Sequence, residues 1–353
     1  MPLGGYNITM ASKSADIGTF IIENVGKHPR NIAPLVAKKF GISRQRAHTH
    51  VKRAVDSGIL VRVGKTSSSQ YFLVGGNHIR FELKRTPDLK EDWVWSKLLK
   101  PMFRELPANI YKICNYGFTE IFNNAIDHSE GTETYVEAKL DKDKIEIVIM
   151  DNGVGIFKKI QQALKLDSVQ ESLLHLSKGK FTTDPKNHTG QGIFFTSRAV
   201  DTFSIYSDDL YFSFKESEWF LSPEKREDFG KGTYIKMEIS LKTSKTVKSV
   251  MDEYADTEIG FHKTIVAVAL SSDPDDPHVS RSQAKRLLMG LEKFKTIVLD
   301  FAAVTDVGQA FADEVFRVFQ NEYPDIKIVH LNTSKDVEEM IKRAIAERKS
   351  QGV

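Results

Sequence analysis

Apolar residues recur at helical spacing at Ile32, Leu35, Val36 and Phe40, after which Gly41 breaks the run and Ser43 can cap a following helix. In that helix Ala47, Val51, Ala54 and Val55 form an inward stripe, leaving Arg44, Gln45, His48, Thr49, Lys52 and Arg53 outward. Gly58 ends it. Two β-rich runs, 59–63 and 70–74, flank a Gly/Lys/Ser tip at 64–69 and predict a hairpin. Residues 14–75 thus read helix, helix, turn, helix, hairpin, which predicts a winged helix-turn-helix.

A second segment, 76–245, opens with a helical stretch through Trp93, Trp95, Leu98 and Leu99, then a long helix over 108–128. The alternating runs 133–140 and 144–150, joined by the turn DKDK, predict two paired strands. Glycine loops follow, then a polar stretch over 177–189 that we expect to move, a helix, and further strands ending at 232–241. In the third segment, 255–350, strands near 264–270, 296–301 and 326–331 alternate with helices near 280–294, 310–321 and 335–348. That alternation predicts a small α/β domain. No internal repeat or low-complexity tract interrupts the three.

With 353 residues, 41% hydrophobic and 27% charged, the chain has the composition of a folded, multidomain protein. Its 50 Lys and Arg against 47 Asp and Glu leave a net charge of +3, so a nucleic-acid signal has to be local. Between residues 27 and 65 the cations are Lys27, Arg30, Lys38, Lys39, Arg44, Arg46, Lys52, Arg53, Arg62 and Lys65, with Asp56 the sole acid. This excess suits double-stranded DNA, with Arg44, Gln45 and Thr49 aimed at base edges, Lys52 and Arg53 beside them, and Lys65 on the wing reaching the backbone. A domain of this shape also serves protein contacts, and that reading stays open. The single cysteine, Cys114, excludes an internal disulfide. Residues 1–16 lack the apolar core of a signal peptide, and no apolar run approaches the roughly 20 residues of a membrane span. We expect a cytoplasmic protein.

Candidate chemistry lies in the second segment. EIFNNAIDH at 120–128 places Glu120 and Asn124 four residues apart, on one face of a helix, where a carboxylate and an amide oxygen can polarise water and hold a hydrated Mg²⁺. DNGVGI at 151–156 follows the apolar strand IEIVIM. Asp151 there can accept a hydrogen bond from an exocyclic amine, and Gly153 and Gly155 let backbone approach a flat ligand. HTGQGIFFTSRAV at 188–200 puts Gly190 and Gly192 before an apolar helix whose free amides attract phosphate. Thr233, in GKGTYIKMEI, offers a hydroxyl to a base or bridging water. No GxxxxGK motif followed by Ser or Thr occurs.

These four blocks, in this order and spacing, resemble the ATPase superfamily of gyrase, the heat-shock chaperone, histidine kinases and mismatch-repair proteins. The resemblance covers about 108–240. With the segments on either side, the expected fold is an α+β multidomain chain: a winged helix, an α/β sandwich of the histidine-kinase-like ATPase type over 76–245, and a small STAS-like α/β domain. The resemblance implies an antiparallel sheet with helices on one face, Asn124 on Mg²⁺, Asp151 on adenine, and Asp127, Gly153, Gly155, Gly190, Gly192 and Thr233 among the ATP contacts. The loop 178–192 becomes a lid over the phosphates, with Lys178, Lys180 and Lys186 candidates to reach them. Glu120 is the candidate general base, although a similar glutamate occurs in anti-sigma serine kinases, whose EAxxNAxxH-like helix this one resembles. Hydrolysis and phosphotransfer therefore both stay open.

The third segment resembles STAS-like domains, relatives of sulphate-transporter and anti-sigma antagonist modules, and implies a protein partner. Where phosphorylated antagonists carry an acceptor serine, 300–314 here has none, and Thr305 stands earlier in the loop. No dimerisation helix pair with a phosphoacceptor histidine precedes the pocket. The expected function is an ATP-responsive, DNA-binding transcription regulator. A serine/threonine protein kinase or a slow ATPase clamp is the alternative, and homodimerisation stays open.

Overall fold

A computed structural model describes residues 16–64, 69–182, 190–215, 218–223, 230–256, 258–271 and 280–350. The chain divides into two compact units, Met1–Asn152 with Tyr234–Thr243, and Gly153–Thr233 with Ser244–Val353.

In the first unit, helices α1 (16–24), α2 (Ile32–Phe40) and α3 (Arg44–Asp56) and the antiparallel strands β1 (Leu60–Val63) and β2 (Gln70–Leu73) share one core. Ile17, Ile21, Ile32, Val36, Ala47, Val51 and Leu60 are buried together in it. Gly41 closes α2 in the left-handed conformation, φ 63°, which suits glycine at a helix end. Ser43 then starts α3, its side chain accepting from the Arg46 amide at 3.2 Å.

Strand β3 (His78–Lys84), which periodicity did not pick out, follows the hairpin. Two short helices, α4 (Glu91–Val94) and α5 (Lys100–Phe103), flank a π-helical turn at Trp95–Leu99. They lead into α6 (Ala108–Asp127), which buries Ile110, Ile113, Cys114, Phe118, Ile121 and Phe122 on one face. Trp95 anchors this helix, with its ring 5.6–5.8 Å from those of Phe103, Tyr111 and Phe118. Strands β4 (Glu133–Leu140), β5 (Lys144–Asp151) and β9 (Thr233–Ser240) lie antiparallel with β3 in the order β3-β4-β5-β9. The register aligns Phe81, Val136, Ile149 and Ile235 in one row, all buried, and α6 packs on β5.

The second unit begins with α7 (Ile156–Leu164), α8 (Glu171–Lys178) and α9 (Gly192–Ala199). An antiparallel meander of β6 (Thr202–Ser207), β7 (Leu210–Lys215) and β8 (Glu218–Pro223) follows. The turn Asp208–Asp209 has both φ angles positive, 53° and 60°, as a two-residue type I′ hairpin requires. Helix α10 (Val247–Tyr254) opens with a capping box from Thr246 and Ser249. It leads through the short pair β10 (Ala255–Asp256) and β11 (Gly260–Phe261) to a parallel sheet, β12 (Lys263–Ala267), β13 (Thr296–Asp300) and β14 (Lys327–Leu331), in that order. Its connections are α11 (Arg281–Leu288) and the run α12 (Gln309–Asp313), a π turn at Glu314–Phe319 and α13 (Gln320–Glu322), and α14 (Lys335–Ser350) ends the chain's described part. The expected βα alternation is thus a parallel sheet. Among the described residues no helix is long and apolar enough to cross a membrane.

Candidate nucleotide site

The first unit carries the candidate magnesium and adenine ligands. Glu120, Asn124 and Asp127 lie on the last two turns of α6, Glu120 and Asn124 half-buried and Asp127 exposed. Burial and the Glu120 carboxylate beside it push the Tyr116 phenol up from its ordinary range. A tight turn stops the helix there: Ser129 donates to the Ala125 carbonyl and accepts from the Gly131 amide. Asp151 ends β5 opposite Thr134 and is only 7% exposed. The next residue holds it in place, because the Asn152 amide oxygen accepts from the backbone of both Thr132 (2.8 Å) and Glu133 (3.1 Å). A cavity of about 590 Å³ is lined by Arg85, Lys90, Glu91, Asn123, Ile126 and Asp127, and so takes in Asp127 but not Glu120, Asn124 or Asp151.

The second unit carries the candidate glycine loops. Gly155, at φ 96°, precedes α7, and an added Cβ would stand 2.6 Å from the Asp208 carboxylate. Helix α7 has no cap of its own at Gly155. Its free amides are met from elsewhere: Ile156 donates to the Thr233 hydroxyl at 3.0 Å and Lys158 to Asp208 at 3.0 Å. Thr233 therefore holds the start of α7. Asp208 was missed in the sequence because the Lys158 amide it accepts from is fifty residues away; only the Asp-Asp turn hinted at it. Gly190, at φ 69°, lies so close to Phe181 that a Cβ would collide with its carbonyl oxygen, and Gly192 begins α9.

Two lysines expected near phosphate are engaged elsewhere. Lys178 is 2% exposed, its Nζ donating to the carbonyls of Arg286 (3.1 Å) and Met289 (2.9 Å). Lys180 donates to the Lys293 carbonyl at 2.8 Å. The sequence treated both as part of a solvated polar loop, whereas Ser177 and Lys178 are the buried end of α8. Lys186 and the expected lid between 183 and 189 lie outside the described residues.

At the N-terminus Arg44, Gln45, Thr49, Lys52 and Arg53 are exposed on α3, while Ala47 and Val51 are buried. Arg30 is drawn off by Glu82 at 2.8 Å and Arg62 by Ser69 at 2.7 Å, so two of the ten counted cations face partners within the fold. Lys65 lies outside the described residues.

Residues 116–243 match the histidine kinase-, DNA gyrase B- and HSP90-like ATPase family. The match spans α6 through β9 and includes every candidate ATP contact named above. This ATPase region points to ATP binding, usually with Mg²⁺. Residues 283–338 match a STAS-like domain of unknown function, DUF4325. No curated protein matches the chain at a significant level. Glu120 and Asn124 offer oxygen donors on one face of α6, the kind of ligand that magnesium takes. Among the described residues no three His, Cys, Asp or Glu side chains group to cage a metal by themselves, so an ion held by the Asn124 oxygen would complete its shell from phosphates and water.

Proposed function

We propose that the ATPase region binds ATP with Mg²⁺ and that nucleotide occupancy regulates DNA binding by the N-terminal helices. The observation that carries the nucleotide reading is Asp151, a buried carboxylate at a strand end leading straight into Gly153 and Gly155. An ionised carboxylate accepts hydrogen bonds only, which suits the exocyclic amine of adenine. Asn124 would hold Mg²⁺, which when bound neutralises charge on the phosphates. Asp127 lies one turn on, Glu120 is set to orient water, and the amides after Gly190 and Gly192 suit phosphate. The exposed polar face of α3 over its buried Ala47–Val51 stripe supports a winged helix reading DNA with Arg44, Gln45, Thr49, Lys52 and Arg53. Regulation requires ATP to favour one DNA-binding state, by about 1.4 kcal/mol for each tenfold change in affinity.

The test is calorimetry of ATP, with and without Mg²⁺, on the full chain and on Asp151→Asn. Removing one charge-assisted acceptor costs about 1.5–3 kcal/mol, so the variant's affinity is expected to fall at least tenfold. Absence of binding by the wild type refutes the nucleotide reading. The presence of both Glu120 and a STAS-like region favours one alternative, serine/threonine phosphotransfer to a protein partner. Labelled γ-phosphate separates the two, since label on a protein means transfer and free phosphate alone means hydrolysis.

A further inference from the structure

Lys178 ends α8 as a buried cation whose two acceptors, the carbonyls of Arg286 and Met289, lie at the C-terminal end of α11. A helix end of that kind offers free carbonyls and the negative pole of the dipole. The bond is returned: the hydroxyl of Thr264, fully buried on β12, donates to the Lys178 carbonyl at 2.7 Å. The next residue, Gly179, has φ +76° and passes so close to Phe261 and Phe194 that a Cβ would sit 2.8–2.9 Å from their rings. Lys180 follows with its ammonium 4.5 Å from the centre of the Phe294 ring.

The same residues reach the start of α9. The ring of Phe261 lies 4.6 Å from Phe194, 5.0 Å from Phe195 and 5.2 Å from Phe294. Gly190 packs on the backbone of Phe181. Residues 178–180 and the rings of Phe194 and Phe195 are therefore held by one set of side chains and carbonyls that belongs to β11, β12, α11 and the turn before β13. Moving the first turn of α9 requires breaking aromatic contacts of Phe261, and moving Phe261 disturbs Gly179 and the Lys178 bonds.

We propose that the STAS-like region is a built-in regulator of the phosphate-binding turn of α9, acting through Lys178 as a positioning residue. This rests on the reading that the ATPase region binds nucleotide. By reciprocity, a protein that binds the STAS-like region and shifts α11 changes nucleotide affinity, and nucleotide changes that protein's affinity by the same factor.

The test uses the full chain with Lys178→Met, which keeps the side-chain length and removes the donor, and Thr264→Val, which keeps the shape and removes the hydroxyl. Amide hydrogen exchange at residues 191–195, without nucleotide, is expected to quicken at least tenfold in both variants, and ATP affinity to fall at least fivefold. Folding of each variant is checked by circular dichroism, and Thr264→Val serves where Lys178→Met fails to fold. Unchanged exchange at 191–195 in a folded variant overturns the coupling, whether or not ATP binds. Quickened exchange with ATP affinity within twofold of wild type overturns the regulatory role. If the wild type binds no ATP, the exchange measurement still decides the coupling while the nucleotide reading alone falls.

Discussion

Gly155→Ala is expected to destabilise the second unit by about 2–4 kcal/mol, and the structure separates the cost into two parts. The backbone at Gly155 has φ 96° and ψ 134°, a region nearly closed to residues with a Cβ, and forcing one there costs about 1–3 kcal/mol. The added methyl would also stand 2.6 and 2.8 Å from the two Asp208 carboxylate oxygens and 2.8 Å from Ser207 Oγ. Asp208 sits in a tight turn and must move, giving up the bond from the Lys158 amide that caps α7. A lost N-cap costs about 0.5–2 kcal/mol. With a slope near 2 kcal/mol per molar urea the unfolding midpoint falls by roughly 1–2 M. The decisive assay is the double-mutant cycle with Asp208→Ala. Without the carboxylate the methyl meets less and the cap is already gone, so Gly155→Ala should cost about 1–2 kcal/mol less in that background. An undiminished cost there, or a loss below about 0.5 kcal/mol in the wild type, refutes the assignment of Asp208 as the cap that Gly155 makes room for.

Burial, then the nearby charges of Lys178 and Lys293, depress His175 to a pKa of about 3. The unfolded chain takes up that proton first, so stability is intact above pH 6.5 and falls as pH drops from 6.5 toward 3, by at most about 1.4 kcal/mol per pH unit. Urea unfolding at pH 7 and pH 5 should differ by about 2 kcal/mol more in wild type than in His175→Gln; equal differences would refute the assignment. For DNA, replacing Lys52 and Arg53 together by alanine should flatten the slope of log affinity against log salt by about 0.9 for each phosphate that the pair neutralises. A slope unchanged by the pair would remove both from the backbone contacts, and no duplex binding by the wild type would end the DNA reading.

Local patterns were legible in the sequence and remote ones were not. The strands at 133–140 and 144–150, the 3.6-residue stripe of α6 and the Ser43 start of α3 follow from side-chain periodicity and capping, which involve residues within a few positions of each other. Strand β3 was missed because four of its seven residues, HIRFELK, are polar and it closely follows two glycines; its alternation becomes plain only when Ile79, Phe81 and Leu83 are seen facing the core. Helix α7 was hidden because its N-terminal partners, Thr233 at the start of β9 and Asp208 in the turn between β6 and β7, are distant in the sequence. Lys178 misled for a different reason. A lysine in a polar run signals solvent, and only the tertiary fold brings the carbonyls of Arg286 and Met289 to it.

Keeping that lysine charged in the interior works against stability. Burial pushes its pKa down to about 7, with the Glu292 carboxylate pulling the other way, against an unfolded value near 10.4, so as the pH nears neutral the ammonium form is held at a cost. An apolar side chain of similar length would avoid the penalty, as replacements of buried ion pairs by apolar groups often do. A cation there is explained by what it positions: one ammonium grips two carbonyls of α11 while the same residue's own carbonyl is held by Thr264, which fixes α8 against the parallel sheet in one register. Stability and nucleotide affinity should accordingly part company in Lys178→Met, the first unchanged or raised and the second lowered. Loss of stability with affinity intact would make Lys178 an ordinary helix cap and leave the STAS-like region without a hold on the phosphate-binding turn.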